Sequence, residues 1–201
     1  MIAVKEGAVR LASAPAKHRK EPLEAQHLRT LVEKKTDMNG LLQLRGNFVM
    51  FVLAFSDFFR FSELSLIRSK DVQFGEGFIS IFIEKSKADQ LKEGQSVVIA
   101  ESGSSICPVT LLKLYMENSR ISFDSDEYLF RPISSSCNHK CLASVNNPIS
   151  YSTYRDSFKK SFRDIVPYIS KFNTHFARSG GATLTCNHTL PPYIKTRGRR
   201  A

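Results

Sequence analysis

Leu23, His27, Leu28, Leu31 and Val32 recur at helical spacing up to Lys35, behind a proline at position 22 suited to a first helical turn. A helix is predicted there. Residues 41 to 59 are apolar nearly all round, with Leu41, Leu42, Leu44, Phe48, Val49, Phe51, Val52, Phe55, Phe58 and Phe59, which is the pattern of a buried central helix. A short helix is expected over residues 62 to 67, with Ser62 as its N-cap and Glu63 placed favourably for the helix dipole. After Asp71 the chemistry changes. Gly75-Glu76-Gly77 supplies a turn, and residues 78 to 83 and 96 to 100 read as two antiparallel strands. The loop between them carries Lys85, Lys87 and Lys92, with Gly94 as a turn residue. Helical spacing returns at residues 108 to 117, 151 to 164 and 174 to 187, around a Ser- and Asn-rich loop at 133 to 148. The predicted class is mostly α with a small antiparallel β-sheet (α+β). Residues 1 to 20, with Ala12-Ser13-Ala14-Pro15-Ala16 and a basic run after them, read as a linker, and residues 21 to 201 as one domain.

Composition narrows the partners. Twenty-nine Lys and Arg against 19 Asp and Glu give a formal charge of +10, while 42% apolar residues and 15 Phe are enough for a core, so the chain as a whole is not a disordered basic tail. The charge favours phosphate backbones or acidic membrane surfaces as partners. The longest apolar run, residues 48 to 55, is far shorter than a membrane-spanning helix requires, and no secretory signal pattern opens the chain. Four cysteines, Cys107, Cys137, Cys141 and Cys186, are too few for a disulfide scaffold and are expected to be thiols in a reducing compartment. Cys137-x-His139-x-Cys141, with Cys186 and His188, matches no standard zinc spacing, so no metal and no cofactor is expected.

Three clusters stand at element boundaries. Arg60-Phe61-Ser62-Glu63-Leu64 places a guanidinium between two helices, where it either addresses a phosphate or pairs with Asp57 or Glu63 and ties the helices together. Glu84-Lys85-Ser86-Lys87-Ala88-Asp89-Gln90 puts lysines at a hairpin tip, as proton donors or phosphate contacts, or simply as a soluble edge. His175-Phe176-Ala177-Arg178-Ser179-Gly180-Gly181-Ala182-Thr183 sets His175 and Arg178 on one helical face, either for a shared anion or as an exposed polar face. Two glycines inside a helix cost about 1 kcal/mol each, which implies close backbone packing there.

In this order the clusters resemble the catalytic domain of tyrosine recombinases (phage-integrase type). His175-x-x-Arg178-Ser-Gly-Gly-Ala-Thr, Lys87-Ala88-Asp89-Gln90 and the Lys20-Glu21-Pro22 lead-in are most similar to integrases of eukaryotic tyrosine-recombinase retroelements. The resemblance implies strand exchange through a phosphotyrosine intermediate without a metal. Arg60 and Arg178 would clamp the phosphate oxygens, His175 would assist proton transfer, and Lys87 would protonate the leaving oxygen, with Lys85 the competitor for that role. Glu63 and Asp71 would buttress the first Arg and the adjoining turn. Double-stranded DNA is the implied partner, bound as an oligomer or alongside a full-length recombinase, in the nucleus or another intracellular location, and no membrane is involved.

Two departures from the pattern shape the expectation. Tyr193 is the one Tyr after Arg178, and its Pro191-Pro192 setting reads as structural, so the Tyr nucleophile is expected to be absent. Residues 194 to 200 resemble the family segment whose last position holds Trp or His, where this chain has Arg200. At the amino end, residues 1 to 20 would be the linker remnant of a missing DNA-clamping domain. Lys195, Arg197 and Arg199 make the end basic and suit backbone contact or a nuclear signal. The expected function is DNA binding of the recombinase/integrase type, associated with DNA recombination and integration, with strand cleavage lost. The alternatives are a non-enzymatic DNA- or protein-binding scaffold, or a gene-model fragment interrupted by a frameshift near Leu190.

Overall fold

The computed structural model describes residues 23–35, 42–84, 94–134, 141–172, 174 and 181. Helices α1 (Ala25–Lys35) and α2 (Leu42–Ser56) are followed by the single turn α3 (Phe61–Leu64), then strands β1 (Val72–Gly75), β2 (Phe78–Ile83) and β3 (Gln95–Ala100). Helix α4 (Pro108–Ser119), the short pair β4 (Ile133–Ser134) and β5 (Cys141–Leu142), and helix α5 (Tyr151–Phe162) complete the described elements. Both the mostly helical class and the antiparallel sheet agree with the expectation.

Helix α2 is the centre of the molecule. Val49, Met50, Phe51, Val52, Leu53 and Ala54 are all buried, on every side of the helix, because α4 and α5 pack on it. Phe51 lies among Tyr154, Phe158 and Phe162 of α5, with ring centroids 5.1, 5.3 and 5.6 Å away. A polar tie runs beside this aromatic cluster, where Asn47 Nδ2 donates to Ser157 Oγ at 2.7 Å. On the α4 side the fit depends on Gly46. A Cβ at that position would lie 2.9 Å from the Tyr115 ring, so the absent side chain lets α4 approach. Tyr115 in turn donates its hydroxyl to the Leu129 carbonyl at 2.9 Å and stacks on Phe130.

The sheet is a meander, β1-β2-β3, with Val72 opposite Ile81 and Ile81 opposite Val97. Alternation decides its faces. Val72, Ile79, Ile81, Ile83 and Ile99 are buried, while Phe78, Phe82 and Val98 face outward.

Four expectations are corrected. The sheet has a third strand, because Val72-Gln73-Phe74-Gly75 pairs with β2 instead of only leading into its turn. Helix α3 starts one residue early and is capped by Arg60, not Ser62, since Phe61 packs on Tyr151 and Tyr154 and so joins the helical turn. The Ser/Asn-rich loop contains the pair β4–β5. Helix α2 ends at Ser56, before Phe58 and Phe59. The predicted helix over 174 to 187 lies outside the described residues except at its positions 174 and 181, as does the linker over 1 to 20.

No helix among the described residues is long and apolar enough to cross a membrane.

Phe51→Ala should lower unfolding free energy by about 3–5 kcal/mol, the usual range for emptying a well-packed aromatic site. Phe51→Leu should cost clearly less. Urea unfolding of both variants checks the order and the size.

Candidate functional site

The site is built from the carboxyl end of α2. The Asp57 N–H still donates to the Leu53 carbonyl at 3.1 Å, and the chain then turns through Phe58, which has φ 59°. A bulky residue in the left-handed region costs roughly 1–3 kcal/mol and is held there only by its surroundings. Phe59 is buried, and Arg60 follows in extended backbone (φ −82°, ψ 153°) as the N-cap of α3.

Arginine has no side-chain acceptor, so it cannot cap a helix in the way serine does. The bond runs the other way. The Glu63 carboxylate accepts the Arg60 N–H at 2.7 Å with one oxygen and the Arg60 guanidinium, through Nη1, at 2.9 Å with the other. Glu63 is buried, and the Arg60 side chain is 23% exposed, so the pair is anchored on its acidic side and open on its basic side.

The next turn repeats the device. The Arg68 N–H donates to Asp71 Oδ2 at 2.8 Å. Asp71 thus serves the turn after α3, and its partner is Arg68, not Arg60. The Arg68 guanidinium lies over the Tyr128 ring, 4.9 Å from its centroid, and contacts the carboxylate of Asp126, which also pairs with Lys70. The Lys70 ammonium, with Arg68 beside it, holds the Asp126 carboxyl below the ordinary carboxylate range. Sequence reasoning missed this Arg68–Lys70–Asp126–Tyr128 group. The available signal was the Arg68-x-x-Asp71 spacing, the same as Arg60-x-x-Glu63.

Two described residues, Thr174 just before the third cluster and Gly181 within it, lead toward the Arg60 turn. Thr174, the residue before His175, is 6% exposed, and its Oγ1 is 3.1 Å from the Tyr151 hydroxyl. Tyr151 lies edge-on against Phe61, the neighbour of Arg60, at 5.2 Å. On the far side of the cluster, a Cβ on Gly181 would fall 1.8 Å from the Phe55 carbonyl oxygen and 3.1 Å from the Phe58 ring. No residue but glycine fits there without displacing the end of α2. The glycine pair predicted to mark close packing therefore does so at Gly181. Of the two described flanks of this stretch of sequence, Gly181 lies against Phe55 and Phe58, just before Arg60, while Thr174 meets Tyr151 of α5, whose ring touches Phe61.

Of the predicted site residues, Arg60, Glu63 and Asp71 are described. Lys85, Lys87, His175, Arg178, Lys195, Arg197, Arg199 and Arg200 lie outside the described residues, as do Tyr193, Cys137, His139, Cys186 and His188. Ile83 pairs with Gln95, so Lys85 and Lys87 belong by sequence to the connection that joins β2 to β3. Among the described residues no three of His, Cys, Asp and Glu converge in a way that could hold a metal ion.

No family model matches the chain. It is 30% identical over 134 residues to an integrase/recombinase XerD homolog of Selenomonas ruminantium, a match covering 66% of this chain and 38% of that protein. The crystal structure of XerH site-specific recombinase bound to a palindromic difH substrate, a post-cleavage complex, is similar with a TM-score of 0.59 at 14% identity, over 89% of this chain and 46% of that one. The Flpe–Holliday junction complex gives a TM-score of 0.59 at 14% identity, over 98% and 48%. The chain has the fold of a tyrosine recombinase catalytic domain. It spans well under half the length of the XerD homolog and about half of each solved recombinase chain. In this recombinase fold the Arg60 turn, the β2–β3 hairpin and the segment after Thr174 come from three separate stretches of chain.

Glu63→Ala should destabilise the recombinase fold by about 2–3 kcal/mol, because it removes an acceptor from two donors, one of them charged. Glu63→Gln keeps one acceptor oxygen and should cost about half as much. Chemical denaturation of the two variants, compared with wild type, measures the difference.

Proposed function

We propose that this chain is a DNA-binding domain of the tyrosine recombinase/integrase type, acting in DNA recombination and integration, with a phosphate pocket made by Arg60, His175 and Arg178 and served by Lys87. The observation that supports this reading is the setting of the two sequence flanks of His175–Arg178: Gly181 lies against Phe55 and Phe58, and Thr174 bonds Tyr151, whose ring meets Phe61 beside Arg60. Guanidinium forks match the geometry of phosphate oxygens, and two of them facing one phosphate would stabilise the charge that grows there during displacement. Glu63 serves this role indirectly: by holding one edge of Arg60 it fixes the direction of the other. The XerH relative was solved with its difH substrate and Flpe with a Holliday junction, which supports duplex DNA as the partner here. DNA as a ligand also sets an intracellular place of work, nuclear in a eukaryotic cell. The His175 box further likens the chain to retroelement integrases.

Strand cleavage is not part of the proposed activity of these 201 residues. It needs a tyrosine nucleophile, and this reading assigns that role to none of the tyrosines present. Tyr115 and Tyr154 are buried in the core, Tyr128 carries Arg68, and Tyr193 is read as structural. A suicide substrate nicked near its scissile phosphate should yield no covalent protein–DNA adduct; an adduct at Tyr193 would overturn the assignment.

A second reading is a recombinase-derived scaffold that binds a protein or DNA without using the pocket, and it is favoured by the Arg60–Glu63 pair, which already gives the guanidinium a structural partner. One experiment separates the two. Replacing Arg60 and Arg178 together by Ala should weaken duplex binding at least tenfold and flatten the dependence of log affinity on log salt by about 1, since the two face one phosphate and each neutralised phosphate contributes roughly 0.9. Fluorescence anisotropy against salt gives both quantities, and unchanged affinity would establish the scaffold reading instead.

A further inference from the structure

Strand β2 departs from the rule that the solvent face of an antiparallel sheet is polar. Its inward residues Ile79, Ile81 and Ile83 are buried, but two of its outward ones are Phe78 and Phe82, each 39% exposed. A glycine sits under each ring. A Cβ on Gly75, directly opposite Phe78, would fall 2.2 Å from that ring, and one on Gly94, just before β3, would fall 2.4 Å from the ring of Phe82. The rings therefore lean over bare backbone, which fixes one side of each and leaves the other to water. Covering a glycine in this way strengthens a sheet, but it does not account for what surrounds the rings.

Beside Phe82 the outer face holds a groove of about 300 Å³, lined by Lys70, Asp71, Gln73, Ser80, Phe82 and Ser96. It runs across all three strands, since Gln73 lies opposite Ser80 and Phe82 opposite Ser96. An amide and two hydroxyls both donate and accept hydrogen bonds, as the edge of a base requires, and an aromatic ring offers a surface for its face. The cation is Lys70, half exposed, whose ammonium has three donors and meets the Asp126 carboxylate at 2.5 Å. Asp71 is the acid of this lining, and one of its oxygens is taken by the Arg68 N–H. Phe78 and Phe82 stand four residues apart on one strand, roughly 13 Å at about 3.3 Å per residue, whereas the bases of a duplex strand follow one another about every 3.4 Å. A base also has to leave its stack before it can offer its face to a ring. Both points select a splayed single strand over a duplex, and the chain's charge of +10 complements its phosphates.

We propose that this sheet face binds single-stranded DNA, with one unpaired base stacked on Phe82, a second on Phe78 and a backbone phosphate on Lys70. The inference does not rest on the Arg60 pocket, because among the described residues neither Arg60 nor Glu63 lines the groove.

The test uses the full chain and a fluorescein-labelled oligothymidylate of about 12 nucleotides, within the roughly 4–16 that such platforms cover, followed by anisotropy. An abasic strand and a duplex of the same length are the comparison probes. Wild type should bind oligothymidylate at least about fivefold more tightly than the abasic strand. Phe82→Ala, Phe82→Leu and Phe78→Ala should each weaken it about 5- to 100-fold, the range that stacking of one base spans, and leave duplex affinity unchanged. Phe82→Leu keeps an apolar cover over Gly94, so its loss reports the missing ring face and not an unfolded sheet, and Phe82→Tyr should bind as wild type does. Lys70→Gln should flatten the dependence of log affinity on log salt by about 0.7, the contribution of one phosphate on a single strand. Equal affinity for the abasic strand, or wild-type affinity in Phe82→Leu, overturns the stacking role. An equal loss of duplex affinity overturns it as well, since it marks a general structural effect. If oligothymidylate does not bind wild type at all, the face serves another class of partner, a protein surface foremost, and the proposal falls.

Discussion

Helix α2 is buried as far as Phe55, and the way its carboxyl end, where Ser56 already reaches water, meets the backbone of Gly181 is the constraint on which the site depends. The last carbonyls of a helix have no partner within it, and a buried end without cover is costly. At the Phe55 carbonyl what comes close is backbone, not side chain. Gly181 comes so close to the Phe55 carbonyl that a methyl group there would overlap it, and Phe58 enters the left-handed region so that the chain can leave without filling the same space. Neither arrangement is favourable alone: the bulky residue is strained, and glycine in a helix gives up conformational freedom. They coexist because each makes room for the other.

The direction of Arg60 follows from that turn. Once Phe58 has reversed the chain, Phe59 goes into the core and Phe61 onto the rings of α5, which leaves Arg60 between them with its N–H and one edge of its guanidinium facing Glu63. A buried carboxylate needs a cation nearby, since removing it from water unpaired would cost several kcal/mol. Pairing therefore does not compete with a role in anion binding. A surface arginine with no partner samples many rotamers, whereas one whose inner edge is bonded presents its outer edge in a narrow range of directions. On the proposed reading the structural tie and the phosphate clamp, open alternatives from sequence alone, would use two edges of one side chain.

What the sequence made legible was whatever depends on near neighbours or on period. The all-apolar stretch around Phe51 announced a central helix, and strict alternation announced β2 and β3. Strand β1 was harder because it has four residues, follows a 3-10 turn without a break, and ends in Gly75, which reads as the turn itself. A Cβ on Gly75 would overlap the Phe78 ring, so the glycine is there to admit the ring of its partner strand, a reason visible only in the paired sheet. Ser62 misled for a related reason. By propensity serine is the better cap, but the turn starts where Phe61 finds Tyr151 and Tyr154, and these lie far along the chain. The Glu63 bond to Arg60, three residues away, needed no such knowledge and was anticipated as a buttress.

The same division explains why motif order said more than any motif did. Arg-x-x-Glu is a local arrangement, bonded through positions i and i+3, and it recurs at Arg68-x-x-Asp71, where the arginine serves an ion pair with Asp126. A local motif therefore cannot tell a pocket from a brace. The contacts that bring distant stretches of the chain together are of long sequence separation, those of Thr174 with Tyr151 and of Gly181 with Phe55, and each demands one residue type, a hydroxyl in the first case and the absence of a side chain in the second. Gly180-Gly181 left a trace in the sequence because two glycines in a helical stretch lack any local justification. Tyr151 left none, since a tyrosine at the start of a helix is ordinary until the chain that follows α5 returns to meet it.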